Sequence, residues 1–374
     1  MPRQTTSSPR PCDALNVRVD SCPDFFEVPN LGFMSKSHMP TSLHKLPWSK
    51  PRVCVVGDVM VDAYMWGNIQ RMSPEAPVPV VEVSRREERV GGAANVVKNL
   101  HALGADIDII SVIGDDQAGR ELTLLLDTMC TPHLIVDDKR PTTVKTRVIS
   151  DGSHVVRIDE ESAEEVSENV SRLALKSLKH ILQGNRKPEI VVLEDYDKGM
   201  MTERFIEDVL ETCTEAGVPV AVDPKLRHFS AYRGVDLFKP NLKELNEGLG
   251  LQVQAHPSDR ESMISAIETL VTTLNCKRAF VTLGEFGSWI HAPNEGVNHM
   301  HIPAIPRDVT DVSGAGDTVI ATASLMLASQ AEAISMAAVA NLAGGWVCER
   351  VGVVPITREA LEGELPRLGL PTSS

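Results

Sequence analysis

The sequence has little positive charge for its size. Its 374 residues include 37 lysines and arginines against 51 aspartates and glutamates, which gives a formal net charge of −14. A protein whose main partner is nucleic acid or an anionic membrane needs a basic face. The charge balance therefore excludes both as the main partner and leaves room for a local basic pocket that binds a small anion.

The chain also lacks the cysteine pairs of a zinc site or a disulfide framework. None of its seven cysteines forms a C-x-x-C pair, and most lie in apolar segments, as reduced core cysteines do. We therefore predict a cytoplasmic protein. A membrane-spanning segment is missing as well, because polar residues break the most apolar region, residues 319–347, which instead predicts two buried helices.

The first fifty residues lack the apolar segment of a signal peptide and the composition of a transit peptide. They are rich in proline, serine and threonine and carry four acids, so we expect residues 1–50 to be a disordered extension. Met34 and Met39 leave open a later translation start. One folded domain is predicted over residues 51–366, followed by a tail at 367–374.

Short apolar runs alternate with helical patterns from Arg52 onward. Strand candidates lie at residues 53–57, 107–113, 190–193, 218–222, 237–239 and 279–283, and helical patterns at 91–104, 117–130, 163–182, 202–216 and 258–274. This alternation predicts a three-layer α/β/α fold with a mostly parallel central sheet. No G-x-G-x-x-G follows the first strand, which argues against a dinucleotide-dependent oxidoreductase.

Two regions break the parallel pattern, at about residues 62–90 and 140–160. Residues 64–66 with 78–83, and 142–149 with 154–158, alternate in residue type with period two around Pro, Asp and Gly turns, which predicts a small antiparallel sheet. An exposed sheet of this size is a poor stand-alone unit. We expect it to cover the active site as a lid or to pair with another subunit, and we predict a homodimer through it.

Residues 309–328 predict an extended approach, a turn at Gly314, Ala315 and Gly316, and a helix of small and apolar residues. Such a turn directs successive backbone N–H groups into one concavity, and the helix adds its positive dipole end, so the turn suits a phosphate. Asp317 follows at once. In an isolated motif it would be a helix cap, but this helix has too little charge for a surface helix. Asp317 is therefore the candidate base for a hydroxyl nucleophile.

Polar residues follow several predicted strands, at the edge where ligands of such sheets bind. Asp58 and Asp62 suit the hydroxyl groups of a polyol, or are solvated loop acids. Gly91 and Gly92 allow close approach of a ligand beside Asn95, or open an ordinary capped helix. Further polar groups at strand ends are Glu194, Asp195, Tyr196, Lys198, Asp223, Lys225, Asn241 and Glu244. Together they suit a hydroxylated, phosphate-bearing ligand and a nucleotide with its metal.

Three cations alternate with other residue types on the small sheet. Lys145, Arg147 and Arg157 could present positive charge to an anionic substrate group, or they form a solvated strand face. A phosphate buried beside carboxylates needs compensating positive charge. Lys198 and Arg147 are the candidates for holding a phosphate that the substrate already carries.

Four motifs together resemble the ribokinase-like (PfkB) carbohydrate kinases over about residues 52–358. They are G-D-x-x-x-D at 57–62, G-G-x-x-N at 91–95, N-x-x-E at 241–244 and G-A-G-D at 314–317. Within that family, residues 71–80, 91–96, 140–147, 157–161 and 195–199 more narrowly resemble the kinases of D-glycero-D-manno-heptose 7-phosphate. Those kinases phosphorylate the anomeric hydroxyl and make the 1,7-bisphosphate for ADP-heptose and lipopolysaccharide. The chain departs from their pattern at Met72, Asp197 and Ser313.

The resemblance implies an assignment for each part of the site. Asp317 is the base, beside the anion turn of Gly314, Ala315 and Gly316. The implied ATP-binding residues are Asn241, Glu244, Thr282, Gly284, Gly287 and Asn341. The predicted substrate-binding residues, which include the phosphate candidates Arg147 and Lys198, are Asp58, Asp62, Gly91, Gly92, Asn95, Lys145, Arg147, Asp195 and Lys198. Glu244, with Asn241, would act on Mg²⁺ through water, and a monovalent cation such as K⁺ is implied near Asp311 and Gly352.

Two questions about activity stay open at this point. Many relatives carry an adenylyltransferase domain after the kinase, but nothing after Pro355 has an H-x-G-H phosphate motif, so we expect a kinase alone. The rival assignments are a fructose-phosphate or ribose kinase of the same family and a non-catalytic ribokinase-like subunit. The intact turn and Asp317 argue against the latter.

Overall fold

The structure is a computed structural model that describes residues 45–256 and 259–368. Its elements follow in the order β1 (Arg52–Gly57), β2 (Val59–Met72), β3 (Pro79–Gly92), α1 (Ala93–Ala102), β4 (Asp106–Ile113), α2 (Gln117–Asp127), β5 (Thr131–Val136), β6 (Val144–Ser150), β7 (Ser153–Glu160), α3 (Glu168–Leu182), β8 (Ile190–Glu194), α4 (Glu203–Ala216), β9 (Val220–Asp223), β10 (Leu237–Phe238), α5 (Leu242–Leu249), α6 (Arg260–Leu274), β11 (Ala279–Thr282), β12 (Ser288–Ala292), β13 (Val297–Ile302), α7 (Ala315–Ala328), α8 (Ala333–Cys348) and α9 (Arg358–Glu364).

The main sheet has the strand order β13-β12-β11-β10-β9-β8-β1-β4-β5. Its strands are parallel from β11 to β5, and β12 and β13 extend it in antiparallel fashion at one edge. The predicted α/β fold with a mostly parallel sheet is confirmed. Since parallel strands end at the same edge, the residues that follow β1, β8, β9 and β10 are brought together.

The two faces of β1 show why its sequence is wholly apolar. Val53 and Val55 pack into a core with α1, α7 and α8, whereas Cys54 and Val56 pack into a second core with α3, α4 and α6. Because helices cover both faces, neither face tolerates the polar residues of a half-exposed strand. This arrangement holds β1 in the interior of the sheet, between β8 and β4.

The apolar region 319–347 is a buried helix pair, as predicted. Eleven of the 14 residues of α7 and 11 of the 16 residues of α8 are buried. Among the helices of the described chain, none combines the length and apolarity needed to cross a membrane.

The small sheet has the order β3-β2-β6-β7. Its two hairpins, β2–β3 and β6–β7, are antiparallel as expected, but they meet through a parallel pair, β2–β6. The reason is that β2 follows β1 and β6 follows β5, so both leave the same edge of the main sheet in the same direction. The register also differs from the prediction, because residues 79–83 pair with 67–72 while residues 64–66 pair with 85–87.

The packed part of the chain begins earlier than the predicted residue 51. Leu46 and Trp48 are each 4% exposed, and the indole of Trp48 donates a hydrogen bond of 3.0 Å to the carbonyl of Leu103. The remaining predictions for the N-terminal extension, including Met34 and Met39, concern residues outside the described ranges, as does most of the predicted tail.

Candidate active site

The anion turn lies at the N-terminus of α7. Gly314 caps the helix with a φ of 75°, a conformation that favours glycine. A Cβ on Gly316 would lie 3.8 Å from Oδ2 of Asp223 and 3.9 Å from Nζ of Lys239. The turn that sequence analysis singled out therefore adjoins a carboxylate and an ammonium group at the ends of β9 and β10.

Asp317 is buried, with 6% of its surface exposed, and two side chains from other elements hold it. Nδ2 of Asn95, in the first turns of α1, donates to Oδ2, and the hydroxyl of Tyr196, which follows β8, donates to Oδ1 at 2.8 Å. Burial raises the pKa of Asp317, and the bonds from Asn95 and Tyr196 oppose that rise. Two aligned donors favour the charged, proton-accepting form.

Glu194 and Asp223 lie beside Asp317 and complete a cluster of three buried acids. Each offers an oxygen within 4.8 Å of those of the other two. Within the described chain, neither oxygen of Glu194 has a hydrogen-bond partner. Burial, then the charges of Asp223 and Asp317, raise the pKa of Glu194 well above its ordinary value.

Two lysines offset part of this negative charge. Lys239, only 2% exposed, pairs with Asp223 at 2.9 Å, and Lys225 pairs with Glu244 at 2.7 Å. Burial alone would lower the pKa of Lys239, but Asp223 and Glu244 outweigh burial and raise it. Lys239 is therefore a buried cation next to the anion turn.

The N-x-x-E motif forms a capping box at the start of α5. Oδ1 of Asn241 accepts from the backbone N–H of Glu244, and Oε2 of Glu244 accepts from that of Asn241, both at 2.9 Å. Asn241 also forms an isolated parallel bridge with Thr282, which brings the end of β11 to this site. Since Oε1 of Glu244 contacts Lys225, both of its oxygens are engaged, which suits contact with a metal through water rather than directly.

Two more of the predicted ATP-binding residues, Gly287 and Asn341, lie against the end of β13 and the residues that follow it. Gly284 and Gly287 have φ of 59° and 87°, and a Cβ on Gly287 would lie 2.1 Å from the carbonyl oxygen of Ile302. Nδ2 of Asn341 donates to the carbonyl of Pro303 at 3.0 Å. Gly287 and Asn341 therefore contact neighbouring residues of one segment.

Two of the predicted sugar ligands hold the loop after β8. Asp58 accepts from the backbone N–H groups of Tyr196, Lys198 and Met200 at 3.0, 3.1 and 3.3 Å, and burial raises its pKa to about 6. Asp195 accepts from the hydroxyl of Tyr232 and from the N–H of residue 197, both at 2.8 Å. In the structure both carboxylates position the loop after β8. Sugar binding by them stays a prediction.

The predicted glycines permit close packing between β3 and the start of β2. A Cβ on Gly92 would lie 2.4 Å from the carbonyl oxygen of Asp58, and one on Gly91 would lie 2.3 Å from Oδ2 of Asp62. The glycines thus let the start of α1, with Asn95, approach the end of β1.

The four predicted phosphate-binding cations, three on the small sheet and Lys198 after β8, all have acidic partners. Arg147 pairs with Asp62. Lys145 contacts Glu161 at 2.6 Å and Asp159 at 3.2 Å, and Arg157 also pairs with Asp159. Lys198 contacts Glu161 at 2.9 Å. Glu161 therefore joins Lys145 and Lys198.

The implied monovalent-cation residues lie together. Oδ1 of Asp311 accepts from the N–H of Ser313 and Oδ2 from that of Gly352, both at 2.9 Å. Cation binding at this position stays a prediction.

Sequence analysis placed Glu194, Tyr196, Asp223 and Lys225 at strand ends where a ligand would bind, but it gave none of them an individual role, and it did not single out Lys239. Each lies at or just after the end of a strand in the main sheet. That position is the signal that found the first four and that could have found Lys239. Their grouping depends on the order of the strands, which the local sequence does not state.

A family model described as pfkB family carbohydrate kinase matches residues 50–359. The chain belongs to this family. This pfkB-family chain is 41% identical to the bifunctional protein HldE of Caulobacter sp. (strain K31) over 329 residues. The match covers 87% of this chain and 65% of that protein. To HldE of Desulfatibacillum aliphaticivorans it is 38% identical over 320 residues, 85% of this chain and 64% of that protein. The chain thus spans less than two thirds of the length of either relative.

Solved structures of carbohydrate kinases share the fold. Phosphofructokinase-2 from Escherichia coli in complex with fructose-6-phosphate has a TM-score of 0.69 at 19% identity, over 85% of this chain and 99% of that one. Arabidopsis thaliana ribokinase complexed with ribose and ATP has a TM-score of 0.62 at 18% identity, over the same shares. At these identities the likeness establishes the ribokinase-like fold.

Proposed function

We propose that this pfkB-family protein transfers the γ-phosphoryl group of ATP to the anomeric hydroxyl of D-glycero-D-manno-heptose 7-phosphate, giving the 1,7-bisphosphate. The observation that supports phosphoryl transfer is the buried Asp317 at the anion turn, held by Asn95 and Tyr196. The choice of sugar rests on residues 71–80, 140–147 and 195–199, which resemble heptose 7-phosphate kinases.

Asp317 accepts the proton of the sugar hydroxyl as that oxygen attacks the phosphorus. A general base must be held within hydrogen-bond reach of the proton it takes. Tyr196 and Asn95 fix both carboxylate oxygens from two sides, so the carboxylate cannot rotate away from the hydroxyl. Their donated hydrogen bonds also oppose the effect of burial, which would otherwise favour the protonated form that cannot act as a base.

The turn and Lys239 stabilise the transferring group. Phosphoryl transfer depends mainly on positioning and on neutralising charge. The backbone N–H groups of Gly314 and Gly316 and the dipole of α7 would meet that charge, whereas the N–H of the predicted Ala315 donates to the carbonyl of Val312 at 3.2 Å. Nζ of Lys239 lies close to the same turn, so it can add a positive charge without leaving Asp223.

We assign ATP to the rim formed by Asn241, Thr282, Gly284, Gly287 and Asn341. Mg²⁺ bound with ATP supplies neutralisation of phosphate charge. Glu244 would contact it through water, since both of its oxygens already have protein partners. Lys198 and Arg147 would hold the 7-phosphate of the sugar from the loop after β8 and from β6. The K⁺ assignment at Asp311 belongs to the same proposal.

We place the reaction in the cytoplasm, which agrees with the free thiols of the five cysteines in the described ranges. The proposal concerns the kinase reaction of this chain. It makes no claim about the second activity implied by the name of the bifunctional relatives.

A panel of acceptors tests the choice of substrate. ADP release is measured with ATP and heptose 7-phosphate, fructose 6-phosphate, ribose and unphosphorylated heptose. The proposal predicts the highest kcat/KM for heptose 7-phosphate. A higher value for fructose 6-phosphate or ribose would assign the chain to another branch of the family, and no turnover of any sugar would support a non-catalytic subunit.

A further inference from the structure

A buried cation lies in the segment that leads to the anion turn. Residues 303–314 connect β13 to α7 without a helix or strand, and Val309 and Val312 are 61% and 68% exposed. The side chain of Arg307, in contrast, is only 3% exposed. Because an arginine is almost never fully buried unless it is paired, the partners of Arg307 indicate what holds this segment in place.

Arg307 joins the segment to two helices. Its Nη1 donates to Oε2 of Glu349, the residue after α8, at 2.8 Å, and its Nη2 donates to Oε2 of Glu364, the last residue of α9. Burial would raise the pKa of Glu364, but Arg307, aided by Arg367, outweighs burial and lowers it. Within the described chain the Nε of Arg307 has no partner. The guanidinium is therefore held by its two terminal nitrogens, one on each helix.

Helix α8 carries a matching row of residues at positions 341, 345 and 349. Residues four apart lie on one face of a helix. Nδ2 of Asn341 donates to the carbonyl of Pro303, and a Cβ on Gly345 would lie 3.1 Å from Nε of Arg307. Gly345 therefore leaves the space that the Arg307 side chain fills. The start of the segment thus lies along the face of α8 that carries Asn341, a predicted ATP-binding residue.

The rest of the segment contacts the end of the same helix. The backbone N–H groups of Thr310 and Asp311 donate to the carbonyl of Cys348 at 2.8 and 3.1 Å, which satisfies one of the carbonyls that a helix end leaves without a partner. Arg307 lies three residues before Thr310, and Gly314 lies three residues after Asp311. These contacts together fix the backbone on its approach to the anion turn.

We propose that Arg307 is a positioning residue: by joining residues 303–314 to α8 and α9, it sets the place of the anion turn and of the segment beside Asn341 for the phosphates of ATP. Its role in ATP binding rests on the proposed function, whereas its hold on the segment does not. Phosphoryl transfer depends on positioning, and a small displacement far from the reacting atoms can lower its rate strongly. Loss of Arg307 leaves two carboxylates without their shared cation, so the segment should loosen.

Hydrogen exchange of the free protein, without ATP or sugar, tests the hold on the segment. Arg307→Met removes the charge and keeps most of the side-chain length. Mass spectrometry of peptides that cover residues 308–314 should show the amides of Thr310 and Asp311 exchanging at least about tenfold faster than in the wild type, because their hydrogen bonds open when the segment loosens. Equal exchange in the wild type and Arg307→Met would overturn the proposal.

Arg278→Met is the matched control for hydrogen exchange. The side chain of Arg278 is 18% exposed and pairs with Glu295, so this variant also loses a largely buried ion pair. Arg278 precedes β11, at the end of that strand away from the site. Exchange in residues 308–314 should therefore be the same in Arg278→Met as in the wild type.

ATP binding tests the consequence for the reaction. Calorimetric titration with ATP and Mg²⁺, without sugar, should give a Kd at least about fivefold higher for Arg307→Met. Steady-state kinetics should give the same rise in KM for ATP, with the KM for heptose 7-phosphate within about twofold of the wild type. A merely structural role would lower the folded fraction and the apparent kcat and would leave both KM values unchanged.

Arg307→Lys is the conservative variant. Lysine keeps one positive charge but cannot span both acids as the guanidinium fork does, so its Kd for ATP should lie between those of the wild type and Arg307→Met. It replaces Arg307→Met if that variant does not fold. Faster exchange with an unchanged Kd for ATP would overturn the positioning role. If the wild type binds ATP but phosphorylates no sugar, the proposed function fails and the comparison of Kd values still decides the role of Arg307.

Discussion

The hydroxyl of Tyr196 donates a hydrogen bond of 2.8 Å to Oδ1 of Asp317, 121 residues further along the chain. Asp58, at the end of β1, accepts the backbone N–H of the same tyrosine at 3.0 Å. The carboxylate of Asp58, just after β1, thus holds the loop after β8, and Tyr196 of that loop holds the proposed base. These two hydrogen bonds link the ends of β1 and β8 to the first turn of α7.

Replacing the proposed base should abolish most turnover. Asp317→Asn keeps the shape of the side chain but cannot accept a proton, and Asp317→Ala removes it. We expect either change to lower kcat by about 10²-fold or more, the usual contribution of a general base, while ATP still binds in a calorimetric titration. A variant with near wild-type kcat would show that Asp317 is not the base.

Removing the Tyr196 hydroxyl should move the pH profile. Burial already raises the pKa of Asp317, and the bond from Tyr196 lowers it. Tyr196→Phe removes the lowering contribution, so the pKa of Asp317 rises further. Since the base acts only when deprotonated, the acidic limb of kcat/KM against pH should shift to higher pH. Tyr232→Phe, which removes a donor to Asp195 instead, is the matched control, and an unshifted limb in Tyr196→Phe would refute the coupling.

Lys198 and Arg147 should matter only for a phosphorylated substrate. Loss of one charge-assisted bond costs roughly 1.5–3 kcal/mol, so Lys198→Ala or Arg147→Ala should lower kcat/KM for heptose 7-phosphate about ten- to hundredfold. The alternative is that they only offset Glu161 and Asp62, their partners in the structure. Arg227→Ala, which removes the partner of Asp197, is the control. Equal losses with unphosphorylated heptose would rule out phosphate recognition.

The small sheet should mediate a homodimer. Val156 and Ile158, two residues apart on β7, are 49% and 48% exposed, and an apolar strand face of this kind is open to pairing across a two-fold axis. Light scattering at micromolar concentration should give about twice 40.7 kDa. Ile158→Lys should give the monomer mass, whereas Leu173→Lys, at an exposed leucine of α3, should not. A monomeric wild type would leave the sheet as a lid only.

The parts of the fold that the sequence predicted are those whose burial leaves a local pattern. The apolar run of β1 and the small-residue helix α7 are buried on all sides. Their apolar composition therefore predicts a buried strand and a buried helix from the sequence alone. By contrast, β3 contains S-R-R-E-E-R, polar on both faces, and its pairing with residues 64–66 left no such pattern. The antiparallel strands β12 and β13 contain histidines in place of steady apolar runs, and they were missed.

The residues of the site also divide into those that a local sequence pattern predicts and those that it does not. The turn of Gly314 and the proposed base Asp317 were singled out because they are adjacent in sequence. The cluster of Glu194, Asp223 and Asp317 was not, because its members come together only through the order of β1, β8 and β9. The tasks of Asp58 and Asp195 in holding the loop after β8 also depend on contacts that spacing does not specify.

The position of the new phosphate tests the central proposal most directly. Heptose 7-phosphate is incubated with ATP, Mg²⁺ and the wild type or Asp317→Asn, and the product is examined by ³¹P and ¹H nuclear magnetic resonance. The account predicts, with the wild type alone, a second phosphorus signal coupled to the anomeric proton while the 7-phosphate remains. A new phosphate on any other hydroxyl, or equal product from Asp317→Asn, would contradict it.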